Sequence, residues 1–298
     1  MSTNICFTLK RKAYLEEKAR TMNKTQNFFV IHNYNTVPVE LLEYCRDYVI
    51  YDASDDAKTK QEMTALGINY VSVENTGHNI TSYFRYFAEN YENLPEVVTL
   101  LKGNIIGRHC SKAYFDKVYD NKYFTYLYED YESRSRYDKL QYKEEPSIAY
   151  LVSDSQYLEL NSSWYAQSAN HPHKYFSNFD DLLKFIYKDP VIPQYCLFSP
   201  GACYIVRREQ IRKHSPEFYL NMNKIMNYGM NPGFPSEAHQ VERMLPLIFE
   251  AMYEENEWMN SQVLFDEKLQ ERVIIMQERE AWNNKRFKRI RKLLGRGN

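Results

Sequence analysis

The chain has 298 residues, 44% of them apolar, with a formal net charge of -1. That is enough for one large α/β domain or two small ones, with a sizeable core. The near-neutral balance excludes a global field drawing the protein to nucleic acid or membrane, so any such attraction has to come from a local patch. Five scattered cysteines (Cys6, Cys45, Cys110, Cys196, Cys203) without a C-x-x-C pair point to reduced thiols rather than a disulfide framework or a zinc site.

In chain order, Ile5 to Leu9 reads as a short strand and Ala13 to Arg20 as a charged helix. The first twenty residues lack the apolar stretch of a signal peptide, and no run of about 18 apolar residues occurs. The expectation is a cytoplasmic protein that crosses no membrane. Phe28 to Ile31 is the first strand of the main domain, ending in His32-Asn33-Tyr34-Asn35. A turn or two of helix over Val39 to Cys45 leads to a strand over Asp47 to Tyr51, which ends in Asp52 and the pair Asp55-Asp56. A helix over Lys58 to Leu66 stops at Gly67, a residue suited to the position after a helix C-terminus.

The stretch from Ile68 to His109 is the organising unit: strand, turn, amphipathic helix, turn, strand. Ile80, Tyr83, Phe84, Phe87 and Tyr91 recur every three or four residues and define one buried helix face, with Asn79 placed to cap it. Leu94-Pro95 breaks the pattern, and Val97 to Leu101 is a short apolar run of the kind buried in parallel sheets. The order βαβαβαβ predicts a doubly wound, mainly parallel sheet whose loops open at the carboxyl ends of the strands. Those loops hold Asn75, Gly77, His78 and Asn79, then Lys102-Gly103-Asn104, Arg108 and His109.

Past His109, residues 111–146 read as an exposed, irregular or partly helical insertion, followed by a strand at Ile148 to Val152 and a long loop at Asn161 to Asn178. Asp180 to Tyr187 is a predicted helix, and Cys196 to Val206 a strand or hairpin interrupted at Pro200-Gly201. Glu209 to His214, Pro216 to Met226 and Glu237 to Tyr253 are predicted helices, the last expected to kink or split at Pro246. Residues 227–235 carry Gly229 and Gly233 and suit a closing loop. We expect residues 1–260 to form the α/β domain and 261–298 a helical extension. Its end is basic, with Trp282, Phe287, Ile290 and Leu294 able to share a helix face. Residues 281–298 could dock on an anionic lipid surface, bind nucleic acid, or stand solvated; nucleic acid is not expected.

Glycine is scarce, nine in all, and six (Gly77, Gly103, Gly107, Gly201, Gly229, Gly233) fall in loops placed near strand ends. Neither G-x-G-x-x-G nor G-x-x-x-x-G-K-[ST] occurs, which disfavours a dinucleotide dehydrogenase or a P-loop enzyme. The proximity of His171 and His173 could suggest metal ligands, but two histidines flanking a proline in a polar loop are more often surface.

A set of short motifs then adds a resemblance. H-N-Y-N after the first strand, Y-D after the second, E-N-x-G-x-N and S-Y-F at the third, N-Y-x-x-L-P before the fourth, and L-L-K-G-N occur in order. Downstream come F-S-P-G-A-C-Y-I-V-R-R-E-Q-I, P-E-F-Y and V-E-R-M-L-P-L-I-F. Over roughly residues 27–253 the chain resembles a glycosyltransferase-like family of unknown function, related to nucleotide-sugar transferases of the GT-A fold and found in bacteria, fungi and large viruses. The resemblance implies a GT-A-like fold and transfer of a sugar from a nucleotide donor, a uridine diphosphate sugar, to a glycan hydroxyl. It places His32, Asn33 and Tyr34 beside the nucleobase, and Asp52 at base or ribose. It lines the donor with Asn75, Gly77, His78 and Asn79, and puts Pro200, Gly201 and Ala202 against substrate. Lys102-Gly103-Asn104 stands where many GT-A enzymes carry Asp-x-Asp for Mn²⁺ or Mg²⁺; here Lys102 would supply positive charge, assisted by Arg108 or His109. An inverting transfer needs a carboxylate to take the acceptor proton, with Glu242 first and Glu237 second, although an ion pair of Glu242 with Arg243 or Arg207 competes with that role. The alternative is the same fold kept as a binding or scaffold module. The sugar, the acceptor and the oligomeric state are not legible in the sequence.

Overall fold

The structure is a computed structural model, and it describes residues 24–76, 78–129, 150–152, 156–161, 166, 173–228 and 236–293. The expected strand and helix before residue 24, Gly77, His171 and the loop glycines Gly229 and Gly233 lie outside the described residues, as do the side chains of Phe287, Ile290 and Leu294.

Four strands follow the expected parallel order: β1 (Phe28–Asn33), β2 (Tyr48–Asp52), β3 (Val71–Ser72) and β4 (Val97–Lys102). Between them lie α1 (Val39–Leu42), α2 (Ala57–Ala65) and α3 (Ile80–Glu89). Two further strands belong to the same sheet, β5 (Thr125–Tyr126) and β9 (Tyr204–Arg207), and the six-stranded order is β3-β2-β1-β4-β9-β5. The pairings β1–β2, β1–β4 and β2–β3 are parallel; β9 runs antiparallel to both β4 and β5. The fold is therefore mixed α/β with a mostly parallel sheet flanked by helices.

Strand periodicity divides the core. Phe29 and Ile31 of β1 point to one face, where Leu41, Tyr44, Met63 and Phe115 meet them. Val30 points to the other, packed with the α3 aromatics. The same alternation sends His32 toward α3 and Asn33 toward α2, which matters for the site.

Helix α3 buries Ile80, Tyr83, Phe84 and Phe87 as its spacing predicts. It also buries Tyr86, which stacks on Phe28 of β1 at 5.3 Å, while α7 (Pro216–Met226) packs on another part of the helix. Phe84 and Phe87 reach Tyr219 of α7 at 5.3 and 5.1 Å between ring centroids. Asn79 does not cap α3; its side chain turns instead toward Tyr83 and Gly201. Asp56 caps α2 through the N–H groups of Lys58 and Thr59, and Gly67 follows that helix at φ +69°.

The second half departs further from the sequence reading. The insertion after His109 begins with α4 (Lys112–Val118), whose Phe115 is in the core, and then supplies β5 to the main sheet. Strand β6 (Tyr150–Val152), strand β7 (Gln156–Leu160) and, after α5 (Phe179–Ile186), strand β8 (Tyr195–Phe198) form a separate antiparallel sheet. Cys196 to Val206 is thus not one strand or hairpin: the turn at 199–203 carries the chain from one sheet to the other. Short α6 (Arg208–Ile211) and α7 lead to α8 (Ser236–Glu250), which is continuous through Pro246. The helix is not split into two; Pro246 is buried within it, four residues before its end.

Helix α9 (Gln262–Leu293) packs its first turns on the core through Phe265 and Leu269. Among the described residues, no helix is long and apolar enough to cross a membrane. Cys45, Cys110, Cys196 and Cys203 are free, buried thiols.

Candidate functional site at the strand ends

In the sheet order, the chain leaves β1 toward β2 on one side and reaches β4 on the other, so the carboxyl ends of β1 and β4 flank a topological switch point. A cleft of about 340 Å³ opens there, lined by His32, Tyr34, Asn75, His78, Asn79, Lys102, Gly103, Asn104 and Arg108. Three turns far apart in sequence therefore converge. All nine lining residues are among those the motifs single out.

Beneath the cleft, Asn33 is fully buried and its side-chain hydrogen bonds are internal. Its Nδ2 donates to the Thr36 carbonyl and Asp52 Oδ1, both at 2.8 Å, while its Oδ1 accepts from the Thr36 hydroxyl at 2.6 Å. Asp52 is equally buried and also accepts from Ser54 at 2.6 Å. Neither can flank a nucleobase; they form a bracket fixing the β1 and β2 ends. Gly103 packs on that bracket, where an added Cβ would fall well inside contact distance of Asn33 Oδ1 and 2.8 Å from Thr36 Oγ1. Only a glycine lets the β4 turn approach so closely.

His32 is turned to the α3 side, with Nδ1 2.9 Å from the Ser82 hydroxyl. Burial, with His78 and Lys102 adding like-charge repulsion, pushes its imidazole down to about 3. Burial lowers His78 to about 4, opposed by the Met226 carbonyl and aided to a lesser degree by repulsion from Lys102. Neither buried ring nitrogen of His78 makes a geometrically full hydrogen bond among the described residues. His109 is lowered to about 3 by burial, Lys102 and Arg108. All three rings are neutral at pH 7, so the cleft's positive charge belongs to Lys102 and Arg108. Among the described residues, no carboxylate pairs with either cation. Tyr34, at the rim, donates to Asp55 at 3.0 Å.

The antiparallel run of β9 brings its incoming turn to the same end of the sheet. Gly201 (φ +87°) and Ala202 (φ +55°) both adopt left-handed backbone. A Cβ on Gly201 would lie 2.7 Å from His109 Nε2. The Gly201 carbonyl accepts from Asn79 Nδ2 at 2.8 Å, and its N–H donates to Glu242 Oε1 at 2.7 Å. The Pro200-Gly201-Ala202 turn is thus a strap from the N-terminus of α3 to α8, outside the cleft lining but tied to it. Glu242 keeps a fifth of its side chain exposed, and Arg243 Nη1 lies 3.4 Å from its second oxygen. Arg243 itself is held by Glu159 at 2.8 Å in a buried pair, and Arg207 is taken by Glu209.

Glu237 sits elsewhere. It is wholly buried, and Oε1 accepts the backbone N–H groups of Lys174, Tyr175 and Phe176 at 3.0, 2.8 and 3.2 Å. Its Oε2 accepts from the Tyr228 hydroxyl at 2.5 Å. With every face engaged and no exposure, it is an anchor for the segment before α5 and not a proton acceptor. Thr36 and Ser54 carried no role in the sequence reading; Ser82 entered only as the first residue of the S-Y-F motif, with no role assigned to it.

Among the described residues, no three His, Cys, Asp or Glu side chains gather as a metal-binding group. Lys102-Gly103-Asn104, in the place of an Asp-x-Asp, offers an ammonium that repels a divalent cation and one neutral amide oxygen, without the carboxylates such an ion needs.

The fold and cleft define an α/β protein with an electropositive pocket at a sheet switch point. The chain belongs to the family described as "Protein of unknown function (DUF3431)", whose model matches residues 41–263. No curated protein and no solved structure matches it.

Proposed function

We propose that the protein is a GT-A-like glycosyltransferase that moves a sugar from a nucleoside diphosphate donor, a uridine diphosphate sugar, to a hydroxyl of a glycan acceptor. The observation that carries this reading is the cleft between the β1 and β4 ends, with Lys102 and Arg108 facing it and no carboxylate partner for either among the described residues. An anion of two adjacent phosphates suits such a pair, and the N-terminus of α3, whose side-chain cap is missing, adds a favourable dipole. His32 and Tyr34 would contact the base. Asn75, His78 and Asn79 would hold the phosphates and sugar, with neutral imidazoles offering N–H donors. Lys102 and Arg108 would stabilise the charge on the departing diphosphate. Glu242 would take the acceptor proton, oriented by its bond to the Gly201 N–H. Since Lys102-Gly103-Asn104 does not fit Mn²⁺ or Mg²⁺, no step is assigned to a metal.

A thermal-shift screen of nucleoside diphosphate sugars, run with and without Mn²⁺, tests this reading. A donor at 100 times its dissociation constant adds about 2.7 kcal/mol of apparent stability. The expected result is stabilisation by uridine diphosphate sugars, unchanged by Mn²⁺. No shift with any nucleotide would favour a non-catalytic module on this fold.

A further inference from the structure

A second groove, of about 340 Å³, lies between the two sheets and α8 and shares no lining residue with the strand-end cleft. It is lined by Tyr126 of β5, Tyr195 and Leu197 of β8, Phe179 of α5, and Leu247 and Glu250 of α8. Both β5 and β8 are outermost strands of their sheets. Strand β8 pairs with β7, Leu160 opposite Tyr195 and Leu158 opposite Leu197. One residue further on, the Asn161 N–H donates to the Gln194 carbonyl at 2.9 Å. Antiparallel bonding alternates, so Gln194, Cys196 and Phe198 bond β7, and the N–H and C=O groups of Tyr195 and Leu197 point away from it. Among the described residues, no strand pairs with that outer edge and no hydrogen bond reaches those groups. The sequence Tyr195-Cys196-Leu197-Phe198 carries neither charge nor proline to discourage pairing.

The covered face of β8 is the one toward α8: Cys196 and Phe198 are buried, and the Arg243 guanidinium lies over the Phe198 ring at 4.7 Å. A strand added at the open edge continues the pleat, so every second side chain of it faces α8 and enters the groove beside Leu247 and Glu250. Glu250 sets the charge there. It is exposed, ends α8, and accepts at 3.1 Å from the neutral amide of Gln210. The cation lining the groove, Arg243, is already held by Glu159 at 2.8 Å and Glu242 at 3.4 Å. The negative end of the α8 dipole adds to the Glu250 carboxylate, so the groove suits a basic side chain.

We propose that the outer edge of β8 docks an extended peptide of a partner protein, which adds a strand through the backbone groups of Tyr195 and Leu197. The peptide buries an apolar side chain in the groove and sets a lysine or arginine against Glu250. In such strand addition the main-chain bonds give affinity and the adjoining groove selects the side chains. Nothing assumed about the cleft or its chemistry enters this assignment.

Selection of short random peptides displayed on phage against the immobilised full chain, followed by titration of a synthetic copy of the enriched sequence, tests it. Enriched sequences are expected to alternate apolar and polar residues and to carry a lysine or arginine. Tyr195→Pro removes one outward N–H at the first residue of an edge strand and spares the bonds to β7. It is expected to weaken the synthetic peptide about tenfold, while Tyr195→Thr, which keeps the N–H, leaves binding close to wild type. Glu250→Lys, at an exposed position, is expected to weaken it severalfold. Thermal melting checks that each variant folds. Should Tyr195→Pro not fold, the peptide carries the same test: N-methylation of every second amide abolishes binding in one register and is tolerated in the other. Absence of any enriched sequence would overturn the proposal. So would a peptide indifferent to Tyr195→Pro, to Glu250→Lys, or to N-methylation in both registers. A wild type that self-associates and becomes monomeric with Tyr195→Pro would assign the edge to a second copy of the chain and would equally overturn it.

Discussion

Replacing Glu237 by alanine is expected to destabilise the protein by about 3 kcal/mol or more. The carboxylate satisfies three consecutive backbone N–H groups and the Tyr228 hydroxyl in a site with no solvent access. Each buried donor left unpaired costs about 1–3 kcal/mol, so the loss exceeds that of a single hydrogen bond. The effect is structural, because the segment 174–176 that Glu237 holds leads into α5 and packs Phe176 into the main core. Urea denaturation checks it: the midpoint should fall with little change in slope. Glu237→Gln, which keeps an acceptor oxygen, should fall less. If alanine lowered stability by under 1 kcal/mol, the anchor reading would be wrong.

The second large effect concerns chemistry. Glu242→Gln is expected to reduce sugar transfer by about 10²–10⁴-fold while leaving donor binding close to wild type. Glutamine keeps an oxygen for the Gly201 N–H but has no carboxylate to accept a proton. Transfer rate and donor-induced thermal shift, measured on the same preparation, separate the two. Loss of both would show that Glu242 only holds the strap. Full retention of transfer would remove it from the mechanism.

The parallel half of the fold was readable because its signals are local. Apolar runs such as Phe28 to Ile31 and Val97 to Leu101 are too short and too β-branched or aromatic for helices, and the α3 stripe repeats at helical spacing. The polar residues ending those strands then had to lie at one edge of the sheet, which is why nine of them meet in the cleft. What the sequence hid was set by contacts across long separations. Strands β5 and β9 join the main sheet antiparallel, and the turn between β8 and β9 changes sheets, yet Cys196 to Val206 reads locally as one strand with a defect. Asn79 looked like a cap because position decides that expectation; the Gly201 carbonyl, 122 residues away, draws its amide elsewhere. Asn33 and Asp52 sit at strand ends like true ligand residues, and only the arrival of Thr36 and Ser54 shows that they serve each other. Pro246 removes the N–H that would reach the Glu242 carbonyl, yet α8 is not split there, and Val241, Met244, Leu245, Ile248 and Phe249 are buried on both sides of it, packing that the local sequence does not show.

The account's central claim is that the cleft between β1 and β4 binds a nucleoside diphosphate through Lys102. Calorimetric titration of uridine diphosphate into the wild type and into Lys102→Ala tests it most directly. The account predicts one site per chain in the wild type and affinity at least tenfold weaker in the variant, with no Mn²⁺ required. Equal affinity in both proteins, or no heat of binding in either, would contradict it.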